Sequence, residues 1–138
     1  MKNILVLCTG NSCRSQIAEG YLRYFAGNNA NIYSAGIQTH GVNSQAIKVM
    51  ADDGIDISAQ TSNHVDEYAG IAFDYVITVC DNANEACPYF PGSVQRFHQN
   101  FPDPAKATGN PAEVQMAFAT VRGMIKNYIQ NFVKQNVI

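Results

Sequence analysis

A run of four apolar residues at positions 4–7 lies near the amino terminus, and a polar loop sequence follows it directly. Short continuous apolar runs are typical of strands that are covered on both faces, as the strands of a parallel sheet are. From Ser12 onwards the apolar residues recur at helical spacing, until Gly27 and the two asparagines after it end the pattern. A buried strand that leads straight into a helix predicts an α/β fold with a parallel sheet.

The remainder of the chain continues this alternation of strands and helices. Strands are predicted at 31–37 and 73–79, with a weaker one at 93–99, and a further helix at 44–54. The last helix begins at an Asn110 cap with a capping-box pattern and carries an apolar stripe: Val114, Phe118, Val121, Ile125, Ile129 and Phe132. We therefore expect residues 1–138 to form one domain, a three-layer α/β sandwich that binds ligands at the carboxyl ends of its strands.

The charged residues argue against a nucleic-acid or membrane partner. The formal net charge is -2, and the nine lysines and arginines are scattered along the chain. The apolar segment at the amino terminus is shorter than a secretory core of about 7–15 residues and far shorter than a membrane span of about 20. These observations predict a cytoplasmic protein, and a chain of this size is expected to be a monomer.

Four cysteines, at positions 8, 13, 80 and 87, constrain the chemistry. In a reducing compartment they are kept as thiols, so a disulfide among them is expected to be transient and catalytic rather than structural. The spacings contain no Cys-x-x-Cys pair and do not suit a structural zinc site. We therefore expect no metal bound through these thiols.

The sequence CTGNSCRS at positions 8–15 joins the first predicted strand to the first helix. A loop in this place points backbone N–H groups and the positive end of the helix dipole into one concavity, which suits a tetrahedral oxyanion. Gly10 permits a tight turn, Asn11 tolerates a left-handed backbone, and Arg14 offers a planar fork to two anion oxygens. The candidate oxyanion-binding residues are Thr9, Gly10, Asn11, Ser12, Cys13 and Arg14.

Cys8 lies at the mouth of this loop. Helix N-termini and neighbouring cations lower the pKa of a cysteine from about 8.5 to roughly 3.5–7.5, and the Ser15 hydroxyl is placed to donate a further hydrogen bond to the sulfur. Cys8 is therefore the candidate nucleophile. The alternative interpretation is a buried cysteine at a strand end beside an unrelated arginine.

The segment VLCTGNSCRSQIAEG resembles the phosphate loop of the low-molecular-weight protein tyrosine phosphatases, and more closely that of the arsenate reductases built on the same fold. The resemblance extends to YSAGIQTHGVN, IDIS, VITVCDNANEACP, FPDPA and the last helix, and so covers nearly the whole chain. It implies a four-stranded parallel sheet flanked by helices, with residues 8–14 holding the oxyanion. It also implies arsenate as the substrate, with phosphate or sulfate as mimics.

Asp103, in the sequence FPDPA, is the general acid that the resemblance implies for a reductase and for a phosphatase alike. The same position also suits an exposed loop aspartate without a catalytic role. In the phosphatases this loop continues with tyrosines that face an aromatic substrate, whereas here it continues with Ala105, Lys106, Ala107 and Thr108. The difference favours a small inorganic substrate.

Cys80 and Cys87 favour a reductase, because water completes the phosphatase reaction without further thiols. The resemblance implies that Cys8 attacks arsenate while Asp103 protonates the departing oxygen. Cys80 then attacks Cys8 and releases arsenite, and Cys87 attacks Cys80 and moves the disulfide to the 80–87 pair. Thioredoxin is the expected external reductant, and the sequence leaves glutathione with glutaredoxin open as the alternative.

The resemblance also implies a weak monovalent-cation site beside the loop. Asn11, Glu19 and Ser34 match the positions that form this site in some related reductases. Asn63 stands where those enzymes have an aspartate, which removes a charge and argues against a dependence on potassium. No tightly bound cofactor is expected, and the side chain of Cys13 is expected to pack rather than to react.

Two other functions stay open on the sequence. A low-molecular-weight phosphatase would act on phosphotyrosine or a small phosphate ester without Cys80 and Cys87, and a weak phosphatase side activity is expected even of a reductase. A non-catalytic module would bind phosphate or sulfate at the loop and turn nothing over.

Overall fold

The computed structural model describes residues 1–81 and 88–138. The strands and α-helices follow one another in this order: β1 Lys2–Cys8, α1 Arg14–Ala26, β2 Ala30–Gly36, α2 Ser44–Asp52, β3 Tyr75–Thr78, β4 Gln95–His98 and α3 Pro111–Asn136. Short 3-10 helices occupy Gly27–Asn29, Val65–Tyr68 and Pro104–Lys106. All neighbouring strands pair in parallel in the order β2-β1-β3-β4, which confirms the predicted four-stranded parallel sheet.

The register of the sheet places Cys8 at its carboxyl edge. β1 pairs with β2 along its whole length and brings Cys8 beside Gly36. On its other side β1 pairs with β3, where Leu7 lies beside Thr78. Cys8 therefore ends a central strand at the edge where ligands bind in parallel α/β folds.

The side chains of β1 alternate between two apolar clusters. Ile4 and Val6 belong to the main core, which includes residues of all three α-helices. Leu5 and Leu7 point to the opposite face and pack in a second cluster with the neighbouring strands. All four side chains are fully buried, and this explains the unbroken apolar run in the sequence.

The second face of the sheet carries a thinner layer than the first. Among the described residues, the 3-10 helix Val65–Tyr68 contributes to this layer, together with aromatic side chains such as Tyr33 and Phe90. Phe73 lies in the same cluster, where its ring meets those of Tyr33 and Phe90 edge to face. The sheet is therefore covered on both faces, as the sequence predicts.

Helix α3 follows its predicted capping box and apolar stripe. The Oδ1 atom of Asn110 accepts a hydrogen bond from the Glu113 N–H at 2.9 Å, and the Glu113 carboxylate accepts one from the Asn110 N–H at 3.3 Å. Val114 is only partly buried, whereas the rest of the stripe is buried: Phe118, Val121, Ile125, Ile129 and Phe132. No helix in the described part of the chain is both long and apolar enough to cross a membrane.

Helix α1 and strand β3 are shorter than predicted. Helix α1 begins at Arg14 rather than Ser12, because Cys13 has φ -123° and ψ -78° and still belongs to the preceding loop. Strand β3 spans Tyr75–Thr78 instead of 73–79. Apolar pattern alone does not distinguish a strand residue from an apolar residue that flanks a strand.

Candidate active site

Asn11 shapes the loop between β1 and α1. Among the described residues it is the only non-glycine with a positive φ, at 46°, which confirms the predicted left-handed backbone. Its Nδ2 atom donates to the hydroxyl oxygens of Ser15 and Ser34, each at 2.9 Å. Its Oδ1 atom accepts from the Asn63 N–H at 2.7 Å. The buried side chain thus holds the loop to α1, to β2 and to the segment before Val65–Tyr68.

The carbonyl groups of the loop are bonded to the segment between β2 and α2. Gln38 donates its N–H to the Thr9 carbonyl at 3.0 Å, and His40 donates to the Gly10 carbonyl at 3.1 Å. The N–H of Asn43 donates to the Ser12 carbonyl at 3.0 Å. These three hydrogen bonds fix the carbonyl groups of the loop, and the loop leads into the N-terminus of α1, where backbone N–H groups favour an anion. The oxyanion-binding role of residues 9–14 stays a prediction.

Gln16 is a site residue that the sequence analysis missed. Its Nε2 atom donates to the Asn11 carbonyl at 3.0 Å and to the Thr61 carbonyl at 2.9 Å, and its Oε1 atom accepts from Gln60 at 2.8 Å. The residue is fully buried. A glutamine in a first helical turn is ordinary, so the sequence carried no signal for this role.

Gly36 is a second residue that the sequence analysis missed. A Cβ atom at this position would lie 2.6 Å from the Thr9 carbonyl oxygen, 2.8 Å from the Asn11 nitrogen and 2.9 Å from the Cys8 carbonyl oxygen. The backbone of the loop therefore packs directly against the end of β2, and only glycine leaves room for it. The close approach joins the loop to a strand that is distant in sequence.

One cavity of about 260 Å³ brings the predicted reactive groups together. Cys8, Arg14 and Asp103 all line it, together with Gly10 and its neighbours in the loop. The cavity therefore combines a thiol, a cation and a carboxyl group in a space that fits a small oxyanion. An arrangement of this kind supports nucleophilic attack on a tetrahedral centre with protonation of the leaving oxygen.

His40 and Lys106 also line this cavity, although neither is among the candidate site residues of the sequence analysis. The imidazole of His40 lies against the loop, because a Cβ at Gly10 would come within 2.8 Å of its Nδ1 atom. Its Nε2 atom is 2.8 Å from the Gln38 Oε1 atom. A side chain at position 10 would therefore collide with the His40 ring, which is a second reason for glycine beside the tight turn that the sequence predicts.

Arg14 joins the oxyanion loop to the loop that carries Asp103. It is 4% exposed, and its Nη1 atom donates to the Phe101 carbonyl at 3.0 Å. Its Nη2 atom lies 3.7 Å from the Asp103 Oδ2 atom. The other oxygen of Asp103 accepts from the Ala105 N–H at 3.0 Å and caps the 3-10 helix Pro104–Lys106. Both charged groups are thereby held at the cavity wall.

Cys80 is buried beside the strand that carries Cys8. Its thiol donates to the Leu7 carbonyl at 4.0 Å, and no part of the residue is exposed. Cys8 is 3% exposed, and neither residue is in a disulfide. Cys87 lies outside the described residues, so the predicted third member of the relay rests on the sequence.

Cys13 is buried in the main core, and it also lines the cavity beside Cys8. Burial raises the pKa of its thiol far above the ordinary range, and the negative charge of Asp103 raises it further, against a smaller lowering by Arg14. Cys13 therefore remains protonated at neutral pH and is a poor nucleophile. This agrees with the packing role that the sequence predicts.

Ser15 and the cation-site residues lie behind the loop. Ser15 is fully buried and accepts the Asn11 hydrogen bond, which leaves its own proton to donate elsewhere. The predicted bond from Ser15 to the Cys8 sulfur stays a prediction. Asn11, Glu19 and Ser34 are brought together, but the Glu19 carboxylate is already bound by Arg23. Among the described residues, no cluster of three or more His, Cys, Asp or Glu side chains is arranged to hold a metal ion.

Comparison with known proteins agrees with this geometry. The sequence profile described as low molecular weight phosphotyrosine protein phosphatase matches residues 3–137. The arsenate reductase of Halalkalibacterium halodurans is 46% identical over 133 residues, and the match covers 96% of each chain. The arsenate reductase of Bacillus subtilis is 45% identical over 133 residues, again with 96% of each chain covered.

A solved structure of an arsenate reductase has the same fold. An arsenate reductase in the phosphate binding state superposes with a TM-score of 0.82 and 29% sequence identity, over 98% of each chain. The fold, the oxyanion loop and the sequence identities lead to one assignment. The chain belongs to the low molecular weight phosphotyrosine protein phosphatase family.

Proposed function

We propose that this chain is an arsenate reductase that reduces arsenate to arsenite through Cys8, Cys80 and Cys87. The observation that carries the proposal is the position of Cys80, whose thiol donates at 4.0 Å to the carbonyl of Leu7, the residue before Cys8. A phosphatase has no use for a second thiol at this place. The relatives named arsenate reductase, 46% and 45% identical, support the same choice.

The first step is attack of the Cys8 thiolate on the arsenic of bound arsenate. A sulfur–arsenic bond forms, and one arsenic–oxygen bond breaks. Asp103 gives its proton to the departing oxygen, which leaves as water. Arg14 and the N–H groups of the loop bind the remaining oxygens, where the negative charge is concentrated.

The second step transfers two electrons to arsenic. The Cys80 thiolate attacks the Cys8 sulfur, so that a sulfur–sulfur bond forms while the sulfur–arsenic bond breaks. The electron pair of the broken bond stays on arsenic, which leaves as arsenite in the trivalent state. Cys87 then attacks Cys80, which restores the Cys8 thiolate and leaves a disulfide between 80 and 87.

Single-turnover stoichiometry tests each thiol separately. With arsenate and no external reductant, Cys87→Ser is expected to release one arsenite per chain and to stop with a disulfide between Cys8 and Cys80. Cys80→Ser is expected to release none, because the adduct on Cys8 has no attacking thiol, and Cys8→Ser is expected not to react. Arsenite release by Cys80→Ser at the wild-type yield would rule out this relay.

Thioredoxin is proposed as the reductant of the 80–87 disulfide, because a third thiol in the same chain removes the need for glutathione in the release step. NADPH oxidation measured with thioredoxin and thioredoxin reductase, against glutathione with glutaredoxin, tests this choice. Faster turnover with glutathione would reject it. We propose the cytoplasm as the site of action, because cysteines are kept reduced there and the relay needs reduced thiols.

We further propose that residues 1–138 act as one domain and as a monomer. The family profile matches residues 3–137, nearly the whole chain, which supports a single unit. A second copy is not needed for the chemistry, since Cys8, Arg14 and Asp103 line one cavity of the same chain. Light scattering across a tenfold range of protein concentration tests the monomer.

A weak phosphatase activity is proposed beside the reductase activity, because phosphate esters present the same tetrahedral oxyanion to Cys8 and Arg14. The family match supports this second reaction. Hydrolysis of p-nitrophenyl phosphate is expected to survive in Cys80→Ser and to be lost in Cys8→Ser. A hydrolysis rate far above the arsenate turnover rate would make the phosphatase the main function.

A further inference from the structure

A buried carboxylate lies on the side of the oxyanion loop that faces away from the cavity. Glu19, in α1, is 5% exposed, and the loop residue Asn11 and the β2 residue Ser34 are also buried. Removing a carboxylate from water is costly unless a positive charge and hydrogen bonds replace the lost hydration. The contacts of Glu19 therefore identify the groups that stabilise its charge beside the oxyanion loop.

Arg23 is the positive charge that Glu19 contacts. Its Nε atom lies 2.8 Å from the Glu19 Oε2 atom, one turn along α1. Its Nη2 atom donates to the Ile32 carbonyl of β2 at 2.9 Å. The guanidinium is therefore fixed at two points although its side chain is 54% exposed. A planar group with several donors can make both contacts at once.

The contacts continue from Glu19 to the oxyanion loop. The Ser34 hydroxyl donates to the Glu19 Oε1 atom at 2.5 Å, and the Ser34 oxygen accepts from the Asn11 Nδ2 atom at 2.9 Å. A carboxylate accepts hydrogen bonds only, so the charge on Glu19 fixes the direction of the Ser34 hydroxyl. We call Arg23, Glu19, Ser34 and Asn11 the Glu19 network.

The orientation of the Asn11 amide does not suit a bound monovalent cation. The backbone N–H of Asn63 can only donate, and it is 2.7 Å from one end of this amide, which must therefore be the oxygen. The NH₂ end then points to Ser34, and its hydrogens would repel a cation placed beside Glu19. Asn63 is neutral, and its side chain donates to Glu67 at 3.2 Å.

We propose that Arg23 is a positioning residue that takes the place of a potassium ion in this chain. Its guanidinium balances the buried charge of Glu19, and through Ser34 it holds Asn11 in the left-handed backbone that the oxyanion loop requires. Oxyanion binding is then independent of potassium. The inference rests on the proposed function only in taking arsenate to be the oxyanion that is turned over.

Phosphate affinity tests the proposal without any redox step. Calorimetric titration with inorganic phosphate compares wild type, Arg23→Met, Arg23→Lys and the control Lys48→Met, which removes an exposed cation from α2. Each protein is measured at one ionic strength in potassium, sodium or tetramethylammonium chloride. Wild type and Lys48→Met are expected to bind equally in all three salts. Arg23→Met is expected to bind about tenfold more weakly, since small shifts of a binding loop have effects of this size.

Arsenate kinetics separate positioning from general destabilisation. Arg23→Met is expected to raise KM with kcat within about threefold of wild type, because Asp103 and the thiols are untouched. Arg23→Lys keeps the charge and is expected to recover most of the loss. Phosphate binding by Arg23→Met as tight as wild type overturns the proposal. If Arg23→Met does not fold, the salt series on wild type decides, and tighter binding in potassium overturns it.

The two proposals fail separately in these measurements. A wild-type protein that binds phosphate but reduces no arsenate removes the proposed function. The Glu19 network is then still judged by the phosphate affinities, which involve neither Cys80 nor an external reductant.

Discussion

The guanidinium of Arg14 and the carboxylate of Asp103 lie 3.7 Å apart in the wall of the candidate cavity. The group that would bind the oxyanion therefore contacts the group that would protonate the leaving oxygen. Arg14 also donates to the Phe101 carbonyl, in the loop that carries Asp103, at 3.0 Å. The two loops that form the cavity are thus joined by one buried side chain.

Asp103→Asn is expected to slow the first chemical step by about a hundredfold or more, because proton donation to a leaving group contributes about 10²–10⁴ in rate. Asparagine keeps an oxygen for the Ala105 N–H, so the cap of Pro104–Lys106 survives. Phosphate affinity is expected to hold or to improve, since a negative charge is removed from the cavity. Rapid-mixing measurement of adduct formation on Cys8 gives the rate, and an unchanged rate would remove Asp103 from the mechanism.

Cys8 and Cys13 are expected to differ sharply towards iodoacetamide. Burial and Asp103 raise the pKa of Cys13, so its thiolate forms only under strongly alkaline conditions. Cys8 lies at the cavity and at the start of the loop before α1, where a thiolate is stabilised. At pH 7.5, mass spectrometry of the digested chain is expected to find modified Cys8 and unmodified Cys13.

Inorganic phosphate serves as the control for this labelling. Bound phosphate is expected to protect Cys8 and to leave the labelling of denatured protein unchanged. Modification of Cys13 at the same rate as Cys8 in the folded protein would contradict the assignment of the nucleophile.

The reactive residues that line the cavity were predictable from short segments, Cys8 and Arg14 from their own pattern and Asp103 from the resemblance to the family. Cys8 and Arg14 stand at fixed places between a strand and a helix, and Asp103 stands in a proline-bracketed loop. Parallel strands bring such segments to one edge of the sheet, so the topology converts local patterns into one site.

The supporting residues were not predictable, because their roles arise from contacts between distant segments. Gly36 matters because the loop backbone lies against it, and Gln16 matters because Thr61 lies within 2.9 Å of its amide. Neither of these contacts produces a periodic pattern or a local motif in the sequence. His40 also lines the cavity because of a contact between distant segments. It lies in the loop between β2 and α2, and the pattern of apolar residues does not predict where that loop lies.

Asp53 is expected to stabilise the fold at neutral pH and to lose that effect in acid. Its Oδ2 atom accepts from the Lys126 ammonium at 2.9 Å and from the Tyr21 hydroxyl at 2.7 Å, which joins the end of α2 to α3 and α1. These hydrogen bonds, with that of Lys126 the larger, lower the pKa of Asp53. A lowered carboxyl pKa stabilises above the unfolded value of about 3.9, and the stabilisation is lost as pH falls through the folded value.

Lys126→Met tests this contact by urea unfolding at several pH values. The pair is partly exposed, so the free energy of unfolding at pH 7 is expected to fall by only about 0.5 kcal/mol. The difference from wild type is expected to shrink as pH falls below about 4. Lys48→Met, which changes an exposed lysine of α2, serves as the control, and a difference that grows in acid would contradict the assignment.

Gly36→Ala is expected to damage the oxyanion loop more than any other part of the fold. The added methyl group would lie 2.6 Å from the Thr9 carbonyl oxygen and 2.8 Å from the Asn11 nitrogen, and both are backbone atoms that cannot turn aside. Overpacking of this kind costs about 1–3 kcal/mol in the free energy of unfolding. Because the displaced backbone carries the N–H groups of the site, phosphate affinity is expected to fall with it.

Gly123→Ala is the matched control for this prediction. It makes the same change within α3, where an added Cβ meets no atom within 4 Å apart from the adjacent backbone of its own helix. Alanine is favoured over glycine inside a helix, so the control is expected to raise the free energy of unfolding by up to about 1 kcal/mol. Phosphate titration and urea unfolding are measured for both variants. If Gly36→Ala binds phosphate as tightly as wild type, the oxyanion loop does not depend on its close approach to β2.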